Sequence, residues 1–433
     1  MSIFLIRKSM RAGLLSATAL IGMTAAAHAA GFYIQEQSVA GLGSAFSGTV
    51  TNLNDPSTIF FNPSGMTHLN GTQIQGGVSV LLPRSKLTDT GSTLDVNGPG
   101  AGGVTPIGAT GFGSTGDGGN PYDPTPVPNG SVSYEAGHNF WIGLSVTAPF
   151  GLANEYDDGW FGRYDSTKTE LTVMDIQPTV AYKFNDMFSV GAGLNIQHAD
   201  ATLKNTVTNF VTEGESSLKG KDWSTGYTIG AQFRPTAKTT IGASYHSAIS
   251  HELDGRVEVT GVAGLNADVG AKADLDLPDQ ASFGIAQKLN DRLTLMGQAT
   301  WFGWNNFDEI APVRDDGVAV TPIVQNYQTT WTFAAGAEYV YSDRLTLRGG
   351  VQFDQSPTTD EYRTSRTPDG DRTWVSLGST YGLTPSLDLD LAATYIHLKD
   401  EEIHVTRNGG FAAVNADTEG HVGILALGVN YKF

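Results

Sequence analysis

From Gln73 onward the chain repeats one device: a short polar turn, then strict alternation of apolar and polar residues. Phe184-Asn185-Asp186 precedes Met187–Leu194, Leu289-Asn290-Asp291 precedes Arg292–Gly297, and Tyr341-Ser342-Asp343 precedes Arg344–Val351. Asn, Asp and Ser tolerate turn dihedrals and hydrogen-bond their own backbone, so these triplets mark hairpin tips. Looser tips occur at Gly137-His138-Asn139, Pro235–Lys238 and Thr384-Pro385-Ser386. Six tight hairpins give twelve strands, and Gln73–Leu87 and Gly420–Phe433 supply one more at each end. Between the hairpins lie long polar segments at Thr88–Asn129, Gly151–Thr169, Asn205–Asp222, Gly255–Gly270, Asp308–Gln325, Gln355–Gly370 and Arg407–Thr418. Short turns at one end and long loops at the other are the pattern of an outer-membrane barrel, turns periplasmic and loops outside.

The strand faces point the same way. Leu425, Leu427, Val429, Tyr431 and Phe433 share one side of the last strand, opposite Ala426, Gly428, Asn430 and Lys432. Leu387, Leu389, Leu391, Ala393 and Tyr395 oppose Asp388, Asp390 and Thr394, and Leu345, Leu347, Val351 and Phe353 oppose Thr346, Arg348, Gln352 and Asp354. A soluble sandwich also alternates, but its apolar side faces a core. Charges on one face and aromatics near strand ends favour lipid on the other. Trp141, Tyr182, Trp301, Tyr339, Tyr341, Tyr431 and Phe433 are the candidates for interfacial girdles. The expectation is an all-β fold: a 14-stranded antiparallel transmembrane β-barrel formed by residues 73–433.

Ala30–Thr72 stands apart. It is rich in Gly, Ser, Ala and Asn and has no sustained period of 2 or 3.6, so it lacks a face for a core of its own. It reads as an N-terminal hatch, a plug held in the lumen. Residues 1–29 read as a signal peptide: Arg7, Lys8 and Arg11 precede the apolar run Ala12–Ala27, and Ala27-His28-Ala29 fits an A-x-A cleavage site. The competing reading, an N-terminal membrane helix, needs a longer run without a cleavage site.

Composition narrows the function. The net charge of the 433 residues is −18, and losing Arg7, Lys8 and Arg11 takes it to −21. That argues against a nucleic-acid partner, which would want a basic face. There are no cysteines, hence no disulfides and no thiol chemistry. Eight histidines remain past residue 29, none in a metal-ligand spacing, and H-E-x-x-H is absent. No catalytic residues, metal or cofactor are expected. Gly41-Leu42-Gly43 is followed by Phe46 with no βαβ unit around it, so it is flexible packing rather than a dinucleotide loop. Asp157-Asp158, Asp315-Asp316 and Asp369-Gly370-Asp371 read as solvated loop faces, with divalent-ion binding as the alternative.

A plugged lumen is not an open porin. The plug mixes Phe32, Ile34, Leu42, Phe46, Ile59, Phe60 and Phe61 with small residues, which suits a hydrophobic solute. Pro149-Phe150-Gly151 ends the strand that begins at His138. Pro cannot donate to a ladder and Gly permits a sharp bend, so the wall either opens there or the loop simply begins.

In combination these residues resemble the outer-membrane long-chain fatty acid transporters, the FadL family, which includes channels for aromatic hydrocarbons. The likeness covers residues 30–433. Ala30-Gly31-Phe32, Gly41-Leu42-Gly43 and Phe46-Ser47-Gly48 resemble the start of that family's hatch. Asn62-Pro63-Ser64 stands where the family has Asn-Pro-Ala, and Phe150-Gly151-Leu152 matches its bent third strand. Phe353–Pro357 and Pro368–Trp374 match two C-terminal motifs.

The resemblance implies a monomer in the Gram-negative outer membrane, among lipid and lipopolysaccharide. It implies passive uptake of a hydrophobic small molecule, a fatty acid or hydrocarbon. Ala30, Gly31 and Phe32 would border the ligand, Asn62, Pro63 and Ser64 would shape the hatch, and Pro149, Phe150 and Gly151 would mark the lateral opening. Two departures stand out. Asn205–Asp222 and Gly255–Gly270 are short for an external docking groove, and Asp200, Ile323 and His397 stand where a well-known member places basic groups near a carboxylate. The competing class is a structural or adhesive barrel whose external loops bind a partner.

Overall fold

The computed structural model describes residues 31–95, 104–107, 114 and 116–433; the expected signal peptide and Ala30 lie outside the described residues. Fourteen antiparallel strands form the wall: β1 Thr72–Asp89, β2 Thr125–Gly137, β3 Phe140–Glu155, β4 Lys168–Lys183, β5 Phe188–Thr208 and β6 Glu213–Thr236. They continue as β7 (Thr239–His246 with Ile249–Thr260), β8 (Ala267–Leu277 with Gln280–Lys288), β9 Leu293–Phe302, β10 Thr330–Ser342, β11 Leu345–Asp354 and β12 Arg372–Thr384. The last two are β13 (Leu387–Leu398 with Glu401–Arg407) and β14 Ala412–Lys432. β14 pairs back onto β1 from Gln73↔Lys432 to Asp89↔Ala416, which closes the cylinder.

The six tight turns fall where the polar triplets placed them, for the expected reason. The Asn185 side-chain oxygen accepts from the N–H groups of Met187 and Phe188, and that of Asn290 from Arg292 and Leu293. The opposite ends differ from expectation. Asn205–Asp222, Gly255–Gly270 and most of Arg407–Thr418 are not loops but tall strand pairs, with β5 and β6 in register up to Thr208↔Glu213. Above the bilayer both strand faces meet water, so apolar alternation disappears while the ladder continues. Cross-strand ion pairs such as Lys204–Glu215 (2.9 Å) and Arg256–Asp268 (2.6 Å) decorate it.

Alternation resolves as drawn. Leu425, Leu427, Val429, Tyr431 and Phe433 are exposed on the outside, while Ala426 and Asn430 are buried inside. Leaving such residues in water would be costly, and lipid covers them instead. Tyr182, Tyr339, Tyr341 and Tyr431 are outward as the girdles require. Trp141 is not: it points into the lumen, where its indole N–H donates to Leu69 O (2.8 Å) beneath Ile59 and Met66. Its place near a strand end is common to both faces, and only the hatch decides which one it takes.

Residues 31–71 fill the lumen. Two single-turn helices, α1 Val39–Leu42 and α2 Thr58–Phe61, are joined by turns, and the Ser38 side chain caps α1 by accepting from Gly41 N. The segment touches the wall backbone to backbone: a Cβ on Gly43 would lie 2.9 Å from Gly378 Cα of β12. Phe46 packs edge-on against Trp374, and Leu42 joins the same core. The small residues of the hatch are therefore those that let a plug sit flush against strands.

Candidate functional site

The ladder between β2 and β3 stops at Gly130↔Val146. Pro126 and Pro128 of β2 have no N–H to continue it. On the other side, β3–β4 pairing jumps from Thr147↔Asp175 to Phe150↔Val173, so Ala148 and Pro149 bulge away from the wall. The hatch takes up the backbone groups this frees. The Gln37 side-chain amide donates to Ala148 O (2.8 Å), and its oxygen accepts from Ala148 N (3.2 Å). Ile34 N donates to Pro149 O (2.7 Å) and Gly151 N donates to Phe32 O (2.9 Å). Tyr33 and Phe150 thus form an isolated antiparallel bridge. The expected residues Gly31, Phe32, Pro149, Phe150 and Gly151 are brought together; Gln37, Pro126 and Pro128 were not anticipated.

Phe32 sits in an aromatic box, 4.8 Å from Trp304, 5.3 Å from Phe307, 6.1 Å from Phe150 and 6.4 Å from Tyr327 between ring centres. Three of these rings come from the segment between β9 and β10, whose dense aromatics (Trp304, Phe307, Tyr327) were the available signal in the sequence. Gly31 N donates to Asp369 Oδ2 (2.9 Å). Gly31 has φ +65°, and a Cβ there would meet Trp304 and Pro357 at 3.1–3.2 Å, so both conformation and space require glycine. Asp369 is buried, accepts from Ser356 Oγ (2.8 Å) and pairs with Arg372, so it is a structural acceptor and not a solvated loop face. The two C-terminal motifs converge here on the hatch start.

One charge stands out. Glu36 is fully buried; no side chain donates to its carboxylate, and only the N–H groups of Glu36 and Gln35 approach it. Burial is the main cause that pushes its carboxyl up to about 7, with Asp354 adding to the rise and Arg372 opposing it.

Asn62, Pro63 and Ser64 lie lower in the hatch. The Asn62 amide donates to Val50 O (2.8 Å) and to Ala231 O of β6 (3.1 Å), and its oxygen accepts from Ser64 N (3.2 Å) and Ser64 Oγ (2.7 Å). Asn62→Ala removes all four of these bonds; Val50 O keeps the Gln232 amide (3.1 Å), but the buried Ser64 N–H loses its acceptor, a loss worth about 1–3 kcal/mol. Limited proteolysis is expected to cut the variant's hatch faster at unchanged barrel yield. Ser64→Ala loses one hydroxyl bond, and its hatch is expected to resist cleavage nearly as well as the native one. Equal resistance of all three proteins would contradict this role for Asn62.

Two cavities flank the Phe32–Phe150 contact, Phe32 lining one and Phe150 the other. The upper one, about 720 Å³ including its mouth, is lined by Phe32, Leu152, Leu171, Leu253, Leu275 and Phe307, with Arg366, Thr367 and Gln325 at one corner. The lower one, about 390 Å³ including its mouth, lies beside the bulge against Tyr33, Phe60, Pro149 and Phe150. None of Asp200, Ile323 and His397 lines either cavity, and Asp200 and His397 are exposed on the wall. Among the described residues, no three His, Asp or Glu side chains are grouped to hold a metal ion.

A closed 14-stranded barrel with an apolar outside and a hatch in its lumen defines an outer-membrane channel protein with an occluded pore. The sequence model of the family described as "Outer membrane protein transport protein (OMPP1/FadL/TodX)" matches residues 20–433, and the chain belongs to that family. It is similar to outer membrane protein P1 of Haemophilus influenzae, at 27% identity over 97% of this chain and 98% of that one. It is 24% identical to the long-chain fatty acid transport protein of Escherichia coli O6:H1, over 96% and 97% of the two chains. Among solved structures, a FadL homologue of Pseudomonas aeruginosa superposes with TM-score 0.85 at 27% identity, covering 93% of this chain and all of that one. The toluene transporter TodX of P. putida shares the fold at TM-score 0.65 and 15% identity, over 90% and 99% of the chains. Members of this family are outer-membrane transport channels rather than enzymes, and uptake of hydrophobic compounds across the outer membrane is the activity the family carries.

Proposed function

We propose that this barrel takes up a hydrophobic solute into the upper cavity and passes it sideways into the bilayer at the Pro149–Gly151 bulge. The observation that carries the reading is the bridge between Tyr33 and Phe150. The hatch start is bonded to the one place where β3 has left β2, and its aromatic residues separate the cavity above from the cavity beside the wall. Release of the strand-like segment Phe32–Gln37 would break its bonds to Ala148, Pro149 and Gly151, withdraw Phe32 from its aromatic box, and join the two spaces. No pumping group is needed, because apolar surface leaving water drives the transfer. The ligand-bordering role falls to Gly31 and Phe32 together with Ala30 before them. The same likeness to fatty acid transporters supports a long-chain solute.

Native mass spectrometry of the protein extracted in mild detergent tests this. The expected spectrum carries bound apolar molecules that are lost when Phe32 is replaced by Arg. A bare barrel, together with unimpaired growth of a strain lacking it on long-chain carbon sources, would favour the adhesive reading.

A further inference from the structure

The lower cavity, beside the wall, carries a carboxylate that only half of its surroundings answer. Asp175 lies on β4 at the lower edge of the bulge, the last residue to pair with β3 before the ladder jumps (Thr147↔Asp175). Its side chain is 1% exposed and lines the cavity. One carboxylate oxygen, Oδ2, accepts from Asn195 Nδ2 (2.9 Å) and Gln197 Nε2 (2.8 Å) of β5. The other, Oδ1, is buried without a partner. The carboxylate also fixes both amides, because only an NH2 end can donate to it. Asn195 Oδ1 then accepts from Thr228 Oγ1 (2.8 Å). Gln197 Oε1 has no such donor: it is buried and unpartnered, and Gln197 lines the same cavity.

Two acceptors, one of them charged, are thus left at one wall, and no cation stands by them. Among the described residues no Lys or Arg lines this cavity. The His246 ring does line it, but is already in contact with Thr228 Oγ1 (3.1 Å) and the Phe61 backbone. A buried carboxylate without a positive partner is costly. A ligand that removes the cost brings positive charge as well as hydrogen. The rest of the cavity is aromatic and aliphatic, with the rings of Tyr33, Phe60 and Phe150 beside Ile249 and Leu277. Aromatic faces attract a cation.

We propose that the lower cavity is a binding site for a primary ammonium group carried on an aromatic body. The ammonium donates to Asp175 Oδ1 and Gln197 Oε1, which is the charge-assisted pairing the wall leaves open. Its ring packs against Phe60, Phe150 and Leu277. The volume of about 390 Å³ is near the low end for small-molecule sites and suits one ring rather than a long chain. An alcohol of the same shape supplies a donor but no charge. A carboxylate supplies charge of the wrong sign and no donor. The site goes beyond the uptake reading, since binding needs the cavity alone and not a release at the bulge.

The test is binding to the full-length mature barrel of three probes that share one ring: 4-bromobenzylamine, 4-bromobenzyl alcohol and 4-bromobenzoate. Calorimetry of native protein at neutral pH is expected to favour the amine over the alcohol by roughly tenfold or more, with the benzoate weakest. In crystals soaked with the amine, the anomalous bromine peak is expected in the lower cavity. Asp175→Asn keeps the shape of the side chain and is expected to abolish the preference while the alcohol binds as before. Equal affinity of native protein for amine and alcohol overturns the site, and so does a benzoate that binds as tightly as the amine. A bromine peak confined to the upper cavity overturns it as well. A loss in Asp175→Asn that is the same for amine and alcohol does so too, since that is the mark of a brace for Asn195 and Gln197. The comparison of probes on native protein needs no variant, so it decides the matter even where Asp175→Asn does not fold.

Discussion

Glu36→Gln is expected to tighten the docked hatch by about 3 kcal/mol above neutral pH and to change nothing in acid. The sign follows from proton binding. In a released hatch the Glu36 carboxyl has its ordinary value of 4.5; docked, it lies at about 7. The docked state therefore binds more protons. Docking is strongest below 4.5, weakens as pH rises through the interval, and has lost the full contribution above about 7. The amide of Gln copies the shape of the protonated acid and carries no charge at any pH, so the variant keeps acid-like docking throughout. Hydrogen exchange of the peptide covering Gly31–Phe46, compared between the two proteins at each pH, reads this directly. Greater protection of the variant only on the alkaline side is the expected result. A difference that is constant across pH, or none at all, would show that burial of this carboxylate does not govern the hatch.

The wall was legible in the sequence because each membrane-crossing strand solves the same problem. Lipid on one side and a polar lumen on the other impose period two, and Asn-Asp turns cannot be mistaken for strand interior. The tops of β5 and β6 were not legible, because Thr, Ser, Lys and Glu on both faces carry no alternation even though the ladder runs on to Thr208↔Glu213. Trp141 failed for a related reason: an aromatic near a strand end suits either face, and a distant partner, Leu69, fixes it inside. At the site, Pro149-Phe150-Gly151 announced a bend, since Pro and Gly act locally. Gln37 and Asp175 gave no comparable sign, and Trp304 only through the density of aromatics around it. Their roles depend on what folds next to them, and a buried carboxylate cannot be told from a solvated one until its surroundings are known.

The largest effect on transport is expected from tying the hatch to the wall. Tyr33 and Phe150 face each other between two flanking backbone bonds, the arrangement of a non-hydrogen-bonded antiparallel pair. Such pairs bring their Cα atoms to ~4.5 Å, within the reach of a disulfide. The chain has no cysteine of its own, so Tyr33→Cys with Phe150→Cys introduces one bridge and no alternatives. Oxidised, it keeps the two cavities apart and holds Phe32 in its aromatic box. Reduced, the same molecule is free to open, and the missing rings affect both forms alike. The decisive measurement is uptake of a fluorescent long-chain probe by cells carrying this variant, before and after reductant, with the crosslink verified by mass. The account predicts near-complete arrest in the oxidised protein and recovery on reduction; a crosslinked barrel that takes up the probe as fast as the reduced one would contradict it.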